Sequence, residues 1–97
     1  MVKHVVTFKF RGFPQERQNV AQRFKEALCS LPEKIKVLKS IEVGLNENPN
    51  EDWDLVLIAV VDKMEDIAVY SNDPAHMEAV KIIADFKESR ACVDFYC

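Results

Sequence analysis

The residues best equipped for chemistry stand together in Tyr70-Ser71-Asn72-Asp73-Pro74-Ala75-His76, where a polar turn runs into a helix. A phenol can donate a hydrogen bond to a carbonyl as negative charge grows on it, and a neutral imidazole can take a proton from the adjoining carbon. Tyr70 and His76 together suit enolisation or an aldol-type ring closure, and neither step needs a cofactor. Pro74 fits the first helical position and Asp73 the N-cap, which puts His76 in the first turn. There the positive end of the helix dipole disfavours the imidazolium and keeps the ring available as a base. A plainer reading stands beside this one: the segment starts a helix that the fold needs anyway, and Asp73 favours the charged form of His76.

Other chemistries find less support. Two histidines, His4 and His76, fall short of the three protein ligands that a zinc or iron centre usually takes, and a third would have to be Asp73 or a cysteine. No metal is expected. Cys29, Cys92 and Cys97 form no CxxC pair and have no evident activating base, so they read as free thiols of a reducing cytoplasm. Gly12 and Gly44 are the only glycines, which leaves no phosphate-binding loop.

The elements that must position the pair follow from periodicity. Val2 to Phe10 alternates as a strand, with His4, Val6, Phe8 and Phe10 on one face. Gln15 to Leu31 carries Val20, Phe24, Ala27, Leu28 and Leu31 at helical spacing and ends at Pro32. Val37 to Leu45 alternates again. Asn46 to Asp52 is a loop of turn formers, and Trp53 to Val61 is an apolar central strand. Met64 to Val69 makes a short helical turn. A longer helix after Pro74 holds Met77, Val80, Ile83, Ala84 and Phe86, and Arg90 to Tyr96 closes the chain as a fourth strand.

The order β, α, β, β, α, β predicts an α+β, ferredoxin-like arrangement: a four-stranded antiparallel sheet with its helices on one face. At 97 residues, 48% hydrophobic and 30% charged, the chain reads as one globular domain over residues 1–97. Such a chain buries only about 60 to 65 per cent of its unfolded surface, so a second copy would be a natural supplement. Two helices cover one sheet face, while the first and third strands look apolar on both. Phe8, Phe10, Leu55 and Leu57 are therefore expected to need cover from a partner sheet.

Charge excludes some partners. With 13 basic and 16 acidic residues the net charge is -3, and the Lys34, Lys36, Lys39 cluster is flanked by Glu33 and Glu42, so nucleic acid is not expected. No segment reaches the roughly 18 to 20 apolar residues of a membrane span, and none resembles a signal peptide.

Three segments resemble the stress-responsive dimeric α/β-barrel domain family, often called Dabb. They are Val2-Lys3-His4-Val5-Val6 with Phe8-Lys9-Phe10, Asp73-Pro74-Ala75-His76, and Val93-Asp94-Phe95-Tyr96. The resemblance implies a homodimer in which two ferredoxin-like sheets stack face to face into a barrel. It also implies kinship with olivetolic acid cyclase, a plant polyketide cyclase without a cofactor. In cyclase-like members a Tyr before the second helix and a His at its start are the catalytic pair, and Tyr70 and His76 match them. The resemblance places His4 inside the barrel. That cyclase has a further His where this chain has Leu55.

The expected protein is thus a cytoplasmic homodimer with a small cavity in each protomer, lined by His4, Phe8, Leu55, Leu57, Tyr70 and His76. It binds a small apolar or aromatic molecule. A second reading is a cofactor-independent cyclase, isomerase or lyase using Tyr70 and His76. A third is an interaction module that uses the barrel only to dimerise.

Overall fold

Side-chain alternation and a few turn formers decide the architecture, which a computed structural model describes for residues 1–97. The chain runs through β1 (Val2–Phe10), α1 (Pro14–Cys29), a 3-10 turn (Leu31–Glu33), β2 (Ser40–Leu45), β3 (Leu55–Val61), α2 (Glu65–Asn72), α3 (Pro74–Lys81) and β4 (Lys87–Tyr96). The strands form one antiparallel sheet in the order β2-β3-β1-β4, the ferredoxin-like arrangement.

Register fixes which side chains share a face. His4, Val6 and Phe8 of β1 stand opposite Ala59, Leu57 and Leu55 of β3, and opposite Asp94, Cys92 and Arg90 of β4. On this face α1 lays down Val20, Ala21, Phe24 and Leu28, all buried. The Phe8 and Phe24 rings meet edge to face at 5.5 Å between centroids. Burying an aromatic or aliphatic side chain of this kind contributes about 1.5–3 kcal/mol relative to leaving it exposed. The core therefore lies between sheet and helices.

Phe8, Phe10, Leu55 and Leu57 all belong to that covered face and are buried within the single chain. The side chains that lack cover are their neighbours of opposite parity. Val5 is flanked by Ile58 of β3 and Val93 of β4, and Val56, Val60 and Phe95 continue the same side of the sheet. Val93 is 63% exposed and Phe95 42% exposed. The apolar surplus is real, and it sits on the side of the sheet that the parity of Phe8 and Leu55 does not reach.

Element boundaries move for local reasons. β2 starts at Ser40 rather than Val37 because Ile35 and Leu38 are both buried at a spacing of three, closed by a Leu38 N–H to Ile35 carbonyl bond of 3.1 Å. β4 begins at Lys87, three residues before its alternation becomes visible, because pairing with β1 extends through Phe10 across an irregularity at Lys9/Phe10. The helical region after Met64 is two helices, broken at Asp73, and α3 stops at Lys81. Ile83 and Phe86 follow in turns.

Candidate functional site

The break between α2 and α3 builds the site. Pro74 has no N–H to continue a helix and disfavours helical geometry in the residue before it, so Asp73 is extended at φ -64, ψ 135. Asp73 Oδ1 accepts the Ala75 N–H at 2.8 Å, which caps α3. His76 then falls in the first turn of α3, while Tyr70 lies near the end of α2. The break brings their rings to 4.6 Å between centroids, inclined by 58°.

His76 Nδ1 donates to the Ser71 carbonyl at 3.0 Å. A carbonyl oxygen only accepts, so Nδ1 carries the proton and the neutral ring keeps a lone pair on Nε2. Burial above all lowers the His76 pKa below the usual 6.5, and electrostatic contributions from His4 and the Arg90 guanidinium add to this. The Ser71 bond and Asp73 push upward without reversing the direction. Burial thus outweighs the opposing influence of Asp73, and His76 is a neutral base at pH 7.

Tyr70 is only 1% exposed, and its hydroxyl has no hydrogen-bond partner. Burial pushes its pKa up to about 12, against a smaller downward pull from Arg90. An unpaired buried hydroxyl costs about 1–3 kcal/mol, so this group is a protonated donor held ready at a thermodynamic cost.

His4 completes an aromatic row, meeting Tyr70 edge to face at 5.9 Å. Its side chain points toward the helices, and not toward the open side of the sheet where a partner barrel wall would lie. Its Nδ1 donates to Asp94 Oδ1 at 2.5 Å across the β1–β4 register. Cys92 Sγ lies 3.5 Å from the same nitrogen and 3.4 Å from the same oxygen. The trio offers nitrogen, sulfur and oxygen ligand atoms within 4.8 Å of one another. Tetrahedral coordination with bonds of about 2.0–2.2 Å would set nitrogen and oxygen about 3.3 Å apart, so the present spacing is that of a hydrogen bond. Burial and Asp94 raise the Cys92 pKa and keep it a thiol.

Beside these groups lies a cavity of about 220 Å³ between sheet and helices. Val6, Phe8, Phe24, Leu57, Val80 and Ile83 form its apolar wall. Tyr70, Ser71, His76 and His4 supply polar groups, and Lys87 and Arg90 complete the lining. A larger, wide-open groove of about 1110 Å³ runs between the start of α1 and the loop after β2, lined mostly by polar and charged side chains and by neither Tyr70 nor the histidines.

Of the residues singled out from sequence, His4, Phe8, Leu57, Tyr70 and His76 meet at the cavity. Leu55 packs one pair further along the β3 register, between Phe8 and Leu45, away from it. Asp94 and Arg90 went unassigned. Their usable signal was the sheet order, which sets β4 beside β1 and gives both residues the parity of Cys92 and His4.

The sequence pattern of the stress responsive A/B barrel domain matches residues 2–97. No curated protein matches the chain. A dimeric protein of unknown function and ferredoxin-like fold from Bacteroides fragilis NCTC 9343 is similar at 48% identity and a TM-score of 0.94, over 97% of this chain and 93% of that one. A dimeric ferredoxin-like protein of unknown function from Thermobifida fusca has 25% identity and a TM-score of 0.78, covering 99% and 90% of the two chains. A hydroxynitrile lyase from Passiflora edulis shares the fold alone, at 13% identity and a TM-score of 0.75 over 97% and 90%. No helix is long and apolar enough to cross a membrane. With the pattern spanning almost every residue, the chain belongs to the stress responsive A/B barrel domain family.

Proposed function

We propose that the protein binds a small, largely apolar carbonyl compound in the cavity and moves a proton on it. The observation that carries this reading is the buried, unpartnered Tyr70 hydroxyl beside an imidazole with a free Nε2 lone pair. The substrate carbonyl oxygen accepts from Tyr70 O–H. His76 Nε2 takes a proton from the adjoining carbon, and the electron pair of that C–H bond moves into an enolate whose oxygen stays on Tyr70. The enolate is then protonated at the γ carbon where a conjugated double bond carries the charge there, attacks a second carbonyl, or expels a leaving group from the β carbon. These are the isomerase, cyclase and lyase outcomes, and His76 returns its proton at the end of each.

Magnitudes favour this assignment of roles. A positioned base contributes about 10²–10⁴-fold and one oxyanion donor about 10²–10³-fold. Tyr70 cannot be the base, because a pKa of about 12 keeps it protonated. At about 220 Å³ the cavity is smaller than the roughly 300–1,000 Å³ sites of drug-sized ligands and suits a single ring or a short chain. A module used only for dimerisation would have no need of such a space.

The protein acts as a homodimer in this reading, joined through the side of the sheet bearing Val5, Ile58 and Val93, in keeping with the dimeric relatives. A cytoplasmic setting accords with the three unpaired cysteines. Turnover of a panel of β-ketones by wild type, Tyr70→Phe and His76→Ala tests the chemistry. Loss in both variants is expected, and equal turnover in all three would remove catalysis by this pair.

A further inference from the structure

We infer that the carbonyl compound of this cavity is also an anion, with a carboxylate on its ring or short chain whose charged end sits on Arg90 and Lys87 while its apolar body enters between Phe8, Phe24 and Leu57. The inference rests on the cavity reading above and adds the charge of the molecule that fits it.

Arg90 stands opposite Phe8 in the β1–β4 register, and so on the same side of the sheet as the cavity. Lys87 lines the cavity from the first residue of the same strand. Both are exposed, whereas the Phe8, Phe24 and Leu57 wall is buried, so the two cations lie at the solvent end of an apolar hole. Neither takes part in any of the protein's ion pairs, although Lys9 on the same sheet is paired with Glu88. The nearby carboxylates are already engaged. Asp94 holds His4 and Cys92, and Asp73 caps α3.

Two cations outside any ion pair therefore face a cavity whose other polar groups are hydroxyls and imidazoles, while the nearest carboxylates, Asp94 and Asp73, are turned to His4 and to the start of α3. The guanidinium of Arg90 is planar and matches a carboxylate with two parallel N–H donors, and Lys87 adds a point charge. The reach of that charge shows in the site, because Arg90 pulls the Tyr70 pKa down and disfavours protonation of His76. Both effects stabilise negative charge where an enolate would form.

Benzoate and benzamide have nearly the same shape and differ in charge, so they isolate the point. Binding to the full chain is measured at pH 8 by NMR, following the Tyr70 and His76 ring signals. Benzoate is expected to bind at least tenfold tighter than benzamide. Arg90→Gln should remove most of the preference for benzoate over benzamide, and Arg90→Gln/Lys87→Gln should remove the rest, with the ratio of the two affinities as the readout. Equal binding of the two compounds to wild type would overturn the anion assignment and leave the cavity reading standing. A benzoate preference that survives the double variant would overturn it too. Binding of neither compound would overturn both. Equal β-ketone turnover in Tyr70→Phe and His76→Ala, together with an Arg90-dependent benzoate preference, would remove only the catalytic step.

Discussion

His76 Nδ1 donates to the carbonyl of Ser71 at 3.0 Å, and this single bond decides which ring nitrogen is free to act. It also sets a pH dependence. The unfolded chain protonates this ring below about 6.5, while burial pushes the folded value lower. Between the two values the unfolded state holds more protons, so stability is level above 6.5 and falls as pH drops through the folded pKa. Denaturation midpoints from pH 8 to pH 5 should fall more steeply for wild type than for His76→Asn. Turnover should rise with pH through a pKa below 6.5, matching the His76 titration seen by NMR.

Tyr70→Phe separates stability from function. Removing a buried hydroxyl that has no partner leaves the ring packing in place and relieves a desolvation cost, so the variant should be more stable by about 1 kcal/mol. Turnover should fall by about 10²–10³ with the donor gone. Urea unfolding read beside the β-ketone assay checks both. A less stable variant would show that the hydroxyl has a partner in solution.

Much of the fold was legible because it depends on local pattern. Strand parity placed His4 with Phe8, and Asp73-Pro74 marked the start of α3 with its cap. What could not be read depends on pairing across the chain. Asp94 meets His4 only because β4 lies beside β1 in a particular register, and nothing near Asp94 in sequence carries that information. The same limit misplaced the apolar surplus: Phe8 and Leu55 looked in need of a partner until α1 was known to lie over them, and Val5 and Ile58 were the side chains left open.

The Asp73 cap is a positioning device as well as a stabiliser. Its carboxylate holds the Ala75 N–H at 2.8 Å and so fixes where the first turn of α3 presents His76. Asp73→Ala should cost about 1 kcal/mol and loosen the contact between the Tyr70 and His76 rings. Asp73→Asn keeps an accepting oxygen and should retain most of that stability. If positioning matters, kcat falls in the alanine variant and recovers in the asparagine one, with thermal unfolding measured alongside.

The open side of the sheet gives the sharpest test of assembly. Val5 sits at its centre, between Ile58 and Val93, and a charge there would meet only water in a monomer. In a dimer joined through this side the same charge would be buried without a counter-ion, at a cost of several kcal/mol. Val5→Glu should therefore convert a dimer into a monomer at micromolar concentration, read by light scattering, while the far-UV circular dichroism keeps its α+β form. The cavity lies under the opposite side of the sheet, so benzoate binding should persist in that monomer. Loss of binding along with the dimer would mean that the partner subunit shapes the cavity, for instance by holding β4, which carries Arg90 and Asp94 at the edge of the sheet.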